Sequence, residues 1–209
     1  MKKSAIVLAG GLSNRFGHDK GLLQLAGKPL ILHVLDKIST IVDEVLIVVG
    51  SARQAKAYAI LNLNAKIVID KYEIQSPLVG AITGFENANG EYSLLLPCDT
   101  PFVSSRIASL LLEKCVNRDA VIPRWPNGYI EPLQAAYRTK SAITAANTAL
   151  ENKKLDMRSM IANLGKVTYT STLTLKQVDP NLVTFFNINT PEKIRKAEAM
   201  IKGKATSNC

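Results

Sequence analysis

Ala5-Ile6-Val7-Leu8-Ala9-Gly10-Gly11-Leu12-Ser13-Asn14-Arg15-Phe16-Gly17-His18-Asp19-Lys20 decides how the chain is read. Its first four residues are a continuous apolar run, as in a strand buried on both faces, and the glycine pair marks that strand's carboxyl end. Outward from it, Glu44 to Val49, Lys66 to Ile69 and Tyr92 to Leu96 repeat the pattern. Between these runs, Pro29 to Ser39, Ala52 to Leu61 and Leu78 to Asn87 have helical length, and Ser104 to Val116 continues the alternation. Short β-branched runs alternating with amphipathic ones predict an α/β fold: a Rossmann-like three-layer sandwich with a mostly parallel sheet in one domain. In such a sheet the loop after a strand lies where ligands bind.

That loop carries the chemistry. Gly10 and Gly11 let backbone N–H groups approach an anion, and Arg15 and Lys20 add charge-assisted donors for phosphate oxygens, with Leu8 and Ala9 forming the entry. On local grounds alone the glycine pair serves equally as a tight turn. Neither the P-loop string G-x-x-x-x-G-K-[ST] nor the dinucleotide fingerprint G-x-G-x-x-G occurs, which argues against a P-loop kinase or a dehydrogenase. His18 within the loop reads as a solvated side chain and His33 as a helix-face residue. Two histidines supply acid–base catalysis poorly, in keeping with phosphoryl transfer by positioning and charge neutralisation.

The second half is less regular. Trp125-Pro126-Asn127-Gly128 marks a turn, and Glu131 to Tyr137 reads as a strand beyond it. Thr139 to Asn152 and Asp156 to Leu164 read as helices, and Val167 to Thr170 and Leu182 to Phe186 as extended segments. Pro191 opens a last helix to about Ile201, and the remainder to Cys209 reads as a frayed, disordered tail. About 1–118 is expected to be a nucleotide-binding half and about 119–201 an acceptor-binding half of this one domain.

Composition narrows the function. Hydrophobic residues make up 47% and charged residues 21%, the balance of a globular chain, and no run approaches the roughly 18 apolar residues of a membrane-spanning helix. Three cysteines, Cys98, Cys115 and Cys209, form neither a disulfide framework nor a zinc motif, which points to the cytoplasm. A net charge of +9 favours anionic partners, yet no aromatic-interleaved basic stretch argues for nucleic-acid binding.

Further chemistry-bearing residues follow the later strands. Asp70 precedes Pro77-Leu78-Val79-Gly80, a helix entry where Gly80 permits close approach; on local grounds Asp70 serves equally as a turn residue. Asp99, in Leu94-Leu95-Leu96-Pro97-Cys98-Asp99-Thr100-Pro101, places a lone carboxylate just past a buried strand. Beside a triphosphate that suits Mg²⁺, while Ser104 is better placed to cap the following helix. Cys98 reads as packed rather than nucleophilic. Phe185-Phe186-Asn187-Ile188-Asn189-Thr190-Pro191-Glu192 puts Asn187 and Asn189 on one side of the chain before a helix start, their amides suited to phosphate.

The opening string, L-A-G-G-x-x-x-R-F-G-x-D-K-x-L-L continued by Gly27-Lys28-Pro29-Leu30, resembles the signature of GT-A-like nucleotidyltransferases in the form of the molybdenum cofactor guanylyltransferase family. The Asp70/P-L-x-G, P-C-D-x-P and N-x-N-T-P-E elements are similar too, so the likeness runs from residue 4 to about 192. It implies transfer of GMP from GTP to molybdopterin with release of pyrophosphate. In the implied site, Leu8 to Gly11, Lys20, Asp70, Gly80 and Asp99 bind nucleotide, and Arg15, Lys20 and Asp99 are catalytic. Asp99 holds Mg²⁺, Asn187 and Asn189 contact the acceptor, and Glu131-Pro132-Leu133 with Gln134 and Tyr137 resembles an acceptor-side segment. A protein that delivers molybdopterin is a further implied partner. A CTP-using pterin enzyme, a sugar- or corrinoid-phosphate nucleotidyltransferase, and a non-catalytic binding protein are the alternatives.

Overall fold

The structure, a computed structural model, describes residues 1–10, 19–72 and 74–206, with side chains through Gly203. β1 (Lys3–Leu8) lies between β4 (Glu44–Val49) and β6 (Tyr92–Pro97), parallel to both, with Ile6 opposite Leu46 and Leu95. β5 (Lys66–Ile69) extends the sheet beyond β4, again parallel. On the other side β8 (Ala135–Arg138) runs antiparallel to β6, β7 (Ala120–Arg124) antiparallel to β8, and β9 (Val167–Ser171) parallel to β7. The seven strands are ordered β5-β4-β1-β6-β8-β7-β9.

Period-two alternation on these strands feeds two cores. Ala5 and Val7 face α1 (Leu30–Ile38), α2 (Ala52–Ala59) and α4 (Ser105–Lys114), while Ile6 faces α3 (Pro77–Asn87), α5 (Thr139–Glu151) and α6 (Met157–Ala162). Ile6, Ile31, Leu46, Ile47, Leu78 and Phe85 are fully buried. Each such side chain contributes about 1.5–3 kcal/mol, so burial on both faces, more than strand propensity, holds the sheet. The helices start where capping side chains put them: Ser51, Ser76, Ser104 and Asp156 each accept an N–H of the first turn, and Pro77 occupies a first helical position.

A third apolar cluster packs the last helix, α8 (Pro191–Thr206), against a small hairpin of β2 (Gln24–Leu25) and β3 (Lys28–Pro29) through Leu25, Leu30, Ile188 and Ala197. The hairpin's two turn residues, Ala26 and Gly27, have φ of 51° and 76°, the left-handed pair of a two-residue hairpin loop.

Several expectations are corrected. Leu182 to Phe186 is not extended: Leu182 adopts φ 49° and Val183–Phe185 forms a 3-10 turn, because the Asp179 carboxylate accepts the Thr184 N–H at 2.8 Å. Glu131 to Gln134 is a turn, closed by the Gln134 N–H donating to Glu131 O at 3.1 Å, and the strand begins only at Ala135. Ala120–Arg124 is an unexpected strand; its Pro123 lies beyond the residues that pair with β8. The last helix runs to Thr206 rather than to about Ile201, and residues 207–209 of the expected tail lie outside the described residues.

Candidate active site

The carboxyl ends of β1, β4 and β6 come level, with Leu8 opposite both Val48 and Pro97. Above them opens a cavity of about 740 Å³, within the usual range for small-molecule sites. Lys20 and Asp99 stand together in its lining, Lys20 Nζ donating to Asp99 Oδ2 at 3.3 Å, with side chains 28% and 12% exposed.

Lys20 is placed by its neighbour. Asp19 caps a 3-10 turn (Lys20–Leu22), its Oδ1 accepting the Gly21 N–H at 3.0 Å and the Tyr58 hydroxyl at 2.7 Å, while Oδ2 accepts Gln54 Nε2 at 2.8 Å. Tyr58 is fully buried, and burial, together with the charge of Asp19 and the hydrogen bond to it, pushes its hydroxyl well above the usual phenol range. It therefore stays a donor to Asp19 at any working pH. Gln54 also accepts the Gly50 N–H at 2.8 Å and donates to Ala9 O at 3.4 Å, tying α2 to the ends of β1 and β4. There the backbones of Gly10 and Gly50 approach so closely that a Cβ on Gly10 would lie 3.1 Å from Gly50 N.

Asp70 lines the opposite wall. Its Oδ1 accepts the Thr83 hydroxyl at 2.8 Å and the Tyr72 N–H at 3.2 Å, and Oδ2 lies beside Gly80, 3.8 Å from where a Cβ would stand. The β8 side brings Tyr129, Glu131, Gln134, Phe185 and Asn187 to the same cavity. Glu131 Oε1 accepts the Trp125 indole N–H at 2.7 Å; burial raises its carboxyl above the usual carboxylate range, and that bond partly lowers it again. Trp125 packs edge-to-face on Phe185, with centroids 5.6 Å apart. The loop after Phe185 is pinned just beyond the carboxyl end of β6 by the Ile188 N–H donating to Asp99 O at 2.8 Å.

Of the residues the sequence singled out, Leu8, Gly10, Lys20, Asp70, Gly80, Asp99 and Asn187 line the cavity. Ala9 does not: it is buried, and its N–H donates to Val48 O at 2.8 Å. Asn189 is not in the lining either, whereas Asn187 Oδ1 accepts Lys193 Nζ at 2.6 Å. Gly11, Arg15 and His18 lie outside the described residues. His33 bonds Leu25 O at 2.9 Å from its helix. The Cys98 thiol is pushed up by burial, then by the Asp99 and Asp19 charges, so it is no nucleophile at neutral pH. Asp19, Gln54 and Tyr58 escaped the sequence reading as site-builders; only the adjacency of Asp19 to Lys20 hinted at the first of them.

No group of three His, Cys, Asp or Glu side chains suited to a metal occurs among the described residues. A cation held by Asp99 would have to bring most of its oxygen ligands with a substrate. No described helix is long and apolar enough to cross a membrane.

An α/β sheet covered on both faces, with a cation–carboxylate pair in the cavity beyond its parallel strand ends, is an α/β protein with its ligand-sized cavity where open α/β sheets bind ligands. The chain belongs to the family described as the MobA-like NTP transferase domain, which matches residues 5–167. It is 34% identical to a probable molybdenum cofactor guanylyltransferase of Methanosarcina acetivorans, covering 97% of this chain and 92% of that protein. Identity is 32% to the molybdenum cofactor guanylyltransferase of Desulfosudis oleivorans, covering 95% and 96%. Among solved structures, molybdopterin-guanine dinucleotide biosynthesis protein A from Archaeoglobus fulgidus superposes with a TM-score of 0.82 at 27% identity, covering 96% and 99%. The 2-C-methyl-D-erythritol 4-phosphate cytidylyltransferase of Thermus thermophilus shares the fold, with a TM-score of 0.73 at 19% identity over 97% and 100%.

Proposed function

We propose that this protein transfers GMP from GTP to the terminal phosphate of molybdopterin, forming molybdopterin guanine dinucleotide and releasing pyrophosphate. The observation that carries the reading is the Lys20–Asp99 pair in a cavity at the ends of β1 and β6, in a chain matched over nearly its full length by proteins named for that activity.

An oxygen of the acceptor phosphate attacks the α-phosphorus of GTP, a new P–O bond forms, and the bond to the β-phosphate oxygen breaks with its electron pair leaving on pyrophosphate. Lys20, fixed through Asp19, moves from Asp99 to the phosphates and stabilises the charge that develops on the leaving group. Arg15 supplements it by resemblance, and the Gly10 backbone leaves room for the phosphate chain. Asp70 retains an oxygen beside Gly80 to accept from guanine N–H groups or ribose hydroxyls. Asn187, tied to Asp99 through Ile188, orients the acceptor phosphate. Asp99 would hold Mg²⁺ together with phosphate oxygens, and the bound ion would neutralise non-bridging charge. This reading also puts the reaction in the cytoplasm and foresees a carrier protein that hands over molybdopterin, which crosslinking in cell extract would test.

The direct test incubates the purified protein with Mg²⁺, molybdopterin and either GTP or CTP, measures pyrophosphate release and weighs the pterin product. The guanine dinucleotide is expected. A cytosine product overturns the base assignment, and no product with either nucleotide overturns the transferase reading.

A further inference from the structure

Among the described residues the cavity lining holds three carboxylates, and the mechanism uses two of them. Asp70 serves the nucleotide side and Asp99 the reacting phosphates; Glu131 stands across β6, on the turn that leads into β8. It is half-buried, yet no cation pairs with it among the described residues, and its one described side-chain partner is the Trp125 indole. A partly desolvated carboxylate in a binding cavity is costly unless donors meet it, and among the described side chains only the Trp125 indole does so. A carboxylate has about four acceptor positions, and the indole takes one.

The turn has a second unmet acceptor. Gln134, 6% exposed and also in the lining, keeps its Oε1 buried and without a hydrogen-bond partner among the described residues. Its backbone N–H closes the turn onto Glu131 O at 3.1 Å, so the two side chains belong to one rigid unit. Tyr137 Oη locks that unit from below by donating to Pro132 O at 2.7 Å. Acceptors gathered beside an aromatic wall of Phe185 call for a flat, donor-rich heterocycle. Pterin has that character: its 2-amino-4-oxo-pyrimidine ring presents a ring N–H next to an exocyclic amine, the same donor edge that guanine shows to Asp70.

We infer that Glu131, braced by Trp125, is the specificity-determining residue for the acceptor, its carboxylate receiving the ring N–H and exocyclic amine of the pterin. This inference rests on the proposed pterin acceptor. The cavity then has a carboxylate for each of two like-edged heterocycles, Asp70 for the base and Glu131 for the pterin, with Lys20 and Asp99 on the phosphates between them. Trp125 is a positioning residue: it fixes one carboxylate oxygen and leaves the other to the ligand.

The experiment uses the full chain and two readouts. Trp125 is the only tryptophan, so its fluorescence reports pterin at this site without turnover. Glu131→Gln keeps an oxygen for the indole while presenting an amide donor to the pterin. Molybdopterin titrated into the wild-type protein is expected to quench Trp125, and the E131Q variant to need at least tenfold more. In turnover with GTP, the acceptor KM should rise at least tenfold while the GTP KM stays within twofold. Unchanged quenching and KM in E131Q would confine Glu131 to bracing Trp125 and overturn the inference. If wild-type protein is quenched through Glu131 yet makes no dinucleotide, the transferase reading falls and the pterin site stands. If wild-type protein is not quenched at all, the inference falls whatever the activity. Should E131Q fail to fold, the Glu131→Met/Trp125→Phe double variant leaves no orphaned indole, and the same split between the two KM values is expected.

Discussion

An alanine at position 21 tests whether Lys20 is held in place by the buried Asp19–Tyr58 contact. A Cβ there would lie 2.1 Å from Tyr58 Oη, 3.1 Å from Cζ and 3.4 Å from Cys98 Cβ. Non-bonded carbon contacts settle near 3.5–4.0 Å, so the ring would have to retreat by about 1 Å or more. Tyr58 is fully buried and its hydroxyl is held at 2.7 Å by Asp19, so the retreat breaks that bond. Losing a hydrogen bond to a charged group costs about 1.5–3 kcal/mol and overpacking about 1–3 kcal/mol. Replacing glycine in a helical turn returns up to about 1 kcal/mol. Gly21→Ala is therefore expected to cost about 1.5–6 kcal/mol, a large share of the roughly 5–15 kcal/mol that keeps a domain folded. Tyr58→Phe alone should cost about 1.5–3 kcal/mol, through the same lost bond. Because both changes break one interaction, the double variant should be less destabilised than their sum by about 1.5–3 kcal/mol in urea unfolding at constant m-value. Additivity within about 0.5 kcal/mol would refute the argument.

Asp99→Asn should lower turnover by about 10²–10³-fold, the scale of losing a main electrostatic group, with an unchanged melting curve; near-normal turnover would remove Asp99 from the chemistry. Lys20→Ala should also lose rate, with the loss in kcat rather than in folding, and an unaltered rate would reduce it to a surface charge. Glu131's raised carboxyl binds protons more readily in the folded chain, so its charged form opposes folding above that value. E131Q should therefore raise Tm at pH 7 and leave it unchanged at pH 4, as scanning calorimetry would show. Two carboxyls shift the other way. Asp119 is lowered by the Ser141 hydroxyl and the N–H groups at Lys166 and Gly165, and Glu44, despite burial, by Ser4, Asn89 and Gly90. Their stabilisation is complete above the ordinary carboxylate range and is lost as pH falls through their depressed values. Asp119→Asn should flatten that acid slope, and an unchanged acid midpoint would show that Asp119 contributes nothing to it.

The parallel half of the fold was legible because its strands are buried on both faces and so carry continuous apolar runs, as in Glu44 to Val49. Asp99 and Asp70 were legible for a related reason, since a polar residue just after such a run must emerge at the sheet's carboxyl edge, whereas Lys20 was legible only through the motif that ends the loop after β1. The antiparallel half hid itself. Pro123 masked β7, and the apolar stretch at Leu182 to Phe186 imitated a strand although Asp179 winds it into a turn. Tyr58 was illegible as a site-builder, because its partner Asp19 lies 39 positions away and only the folded chain brings them together. Ala9 and Asn189 show the limit of reading neighbours as equivalents: in each case the adjacent or alternate residue, Gly10 or Asn187, lines the cavity instead.

The bond from Ile188 N–H to Asp99 O has a consequence for the order of assembly. As the chain leaves the ribosome, β1, β4, β5 and β6 can pair among themselves as soon as residue 97 is clear, since all of those ladders are parallel neighbours with no later strand between them. Asp99 is then present but open on one side, and it waits for the segment around Ile188, synthesised almost last, to shut the wall that bears Asn187. Nascent protein consequently has the carboxyl ends of β1, β4 and β6 in place before the wall that bears Asn187 is complete. Chains arrested short of Ile188 should protect the amides of β1 and β4 from exchange while leaving the Asp99 region unprotected.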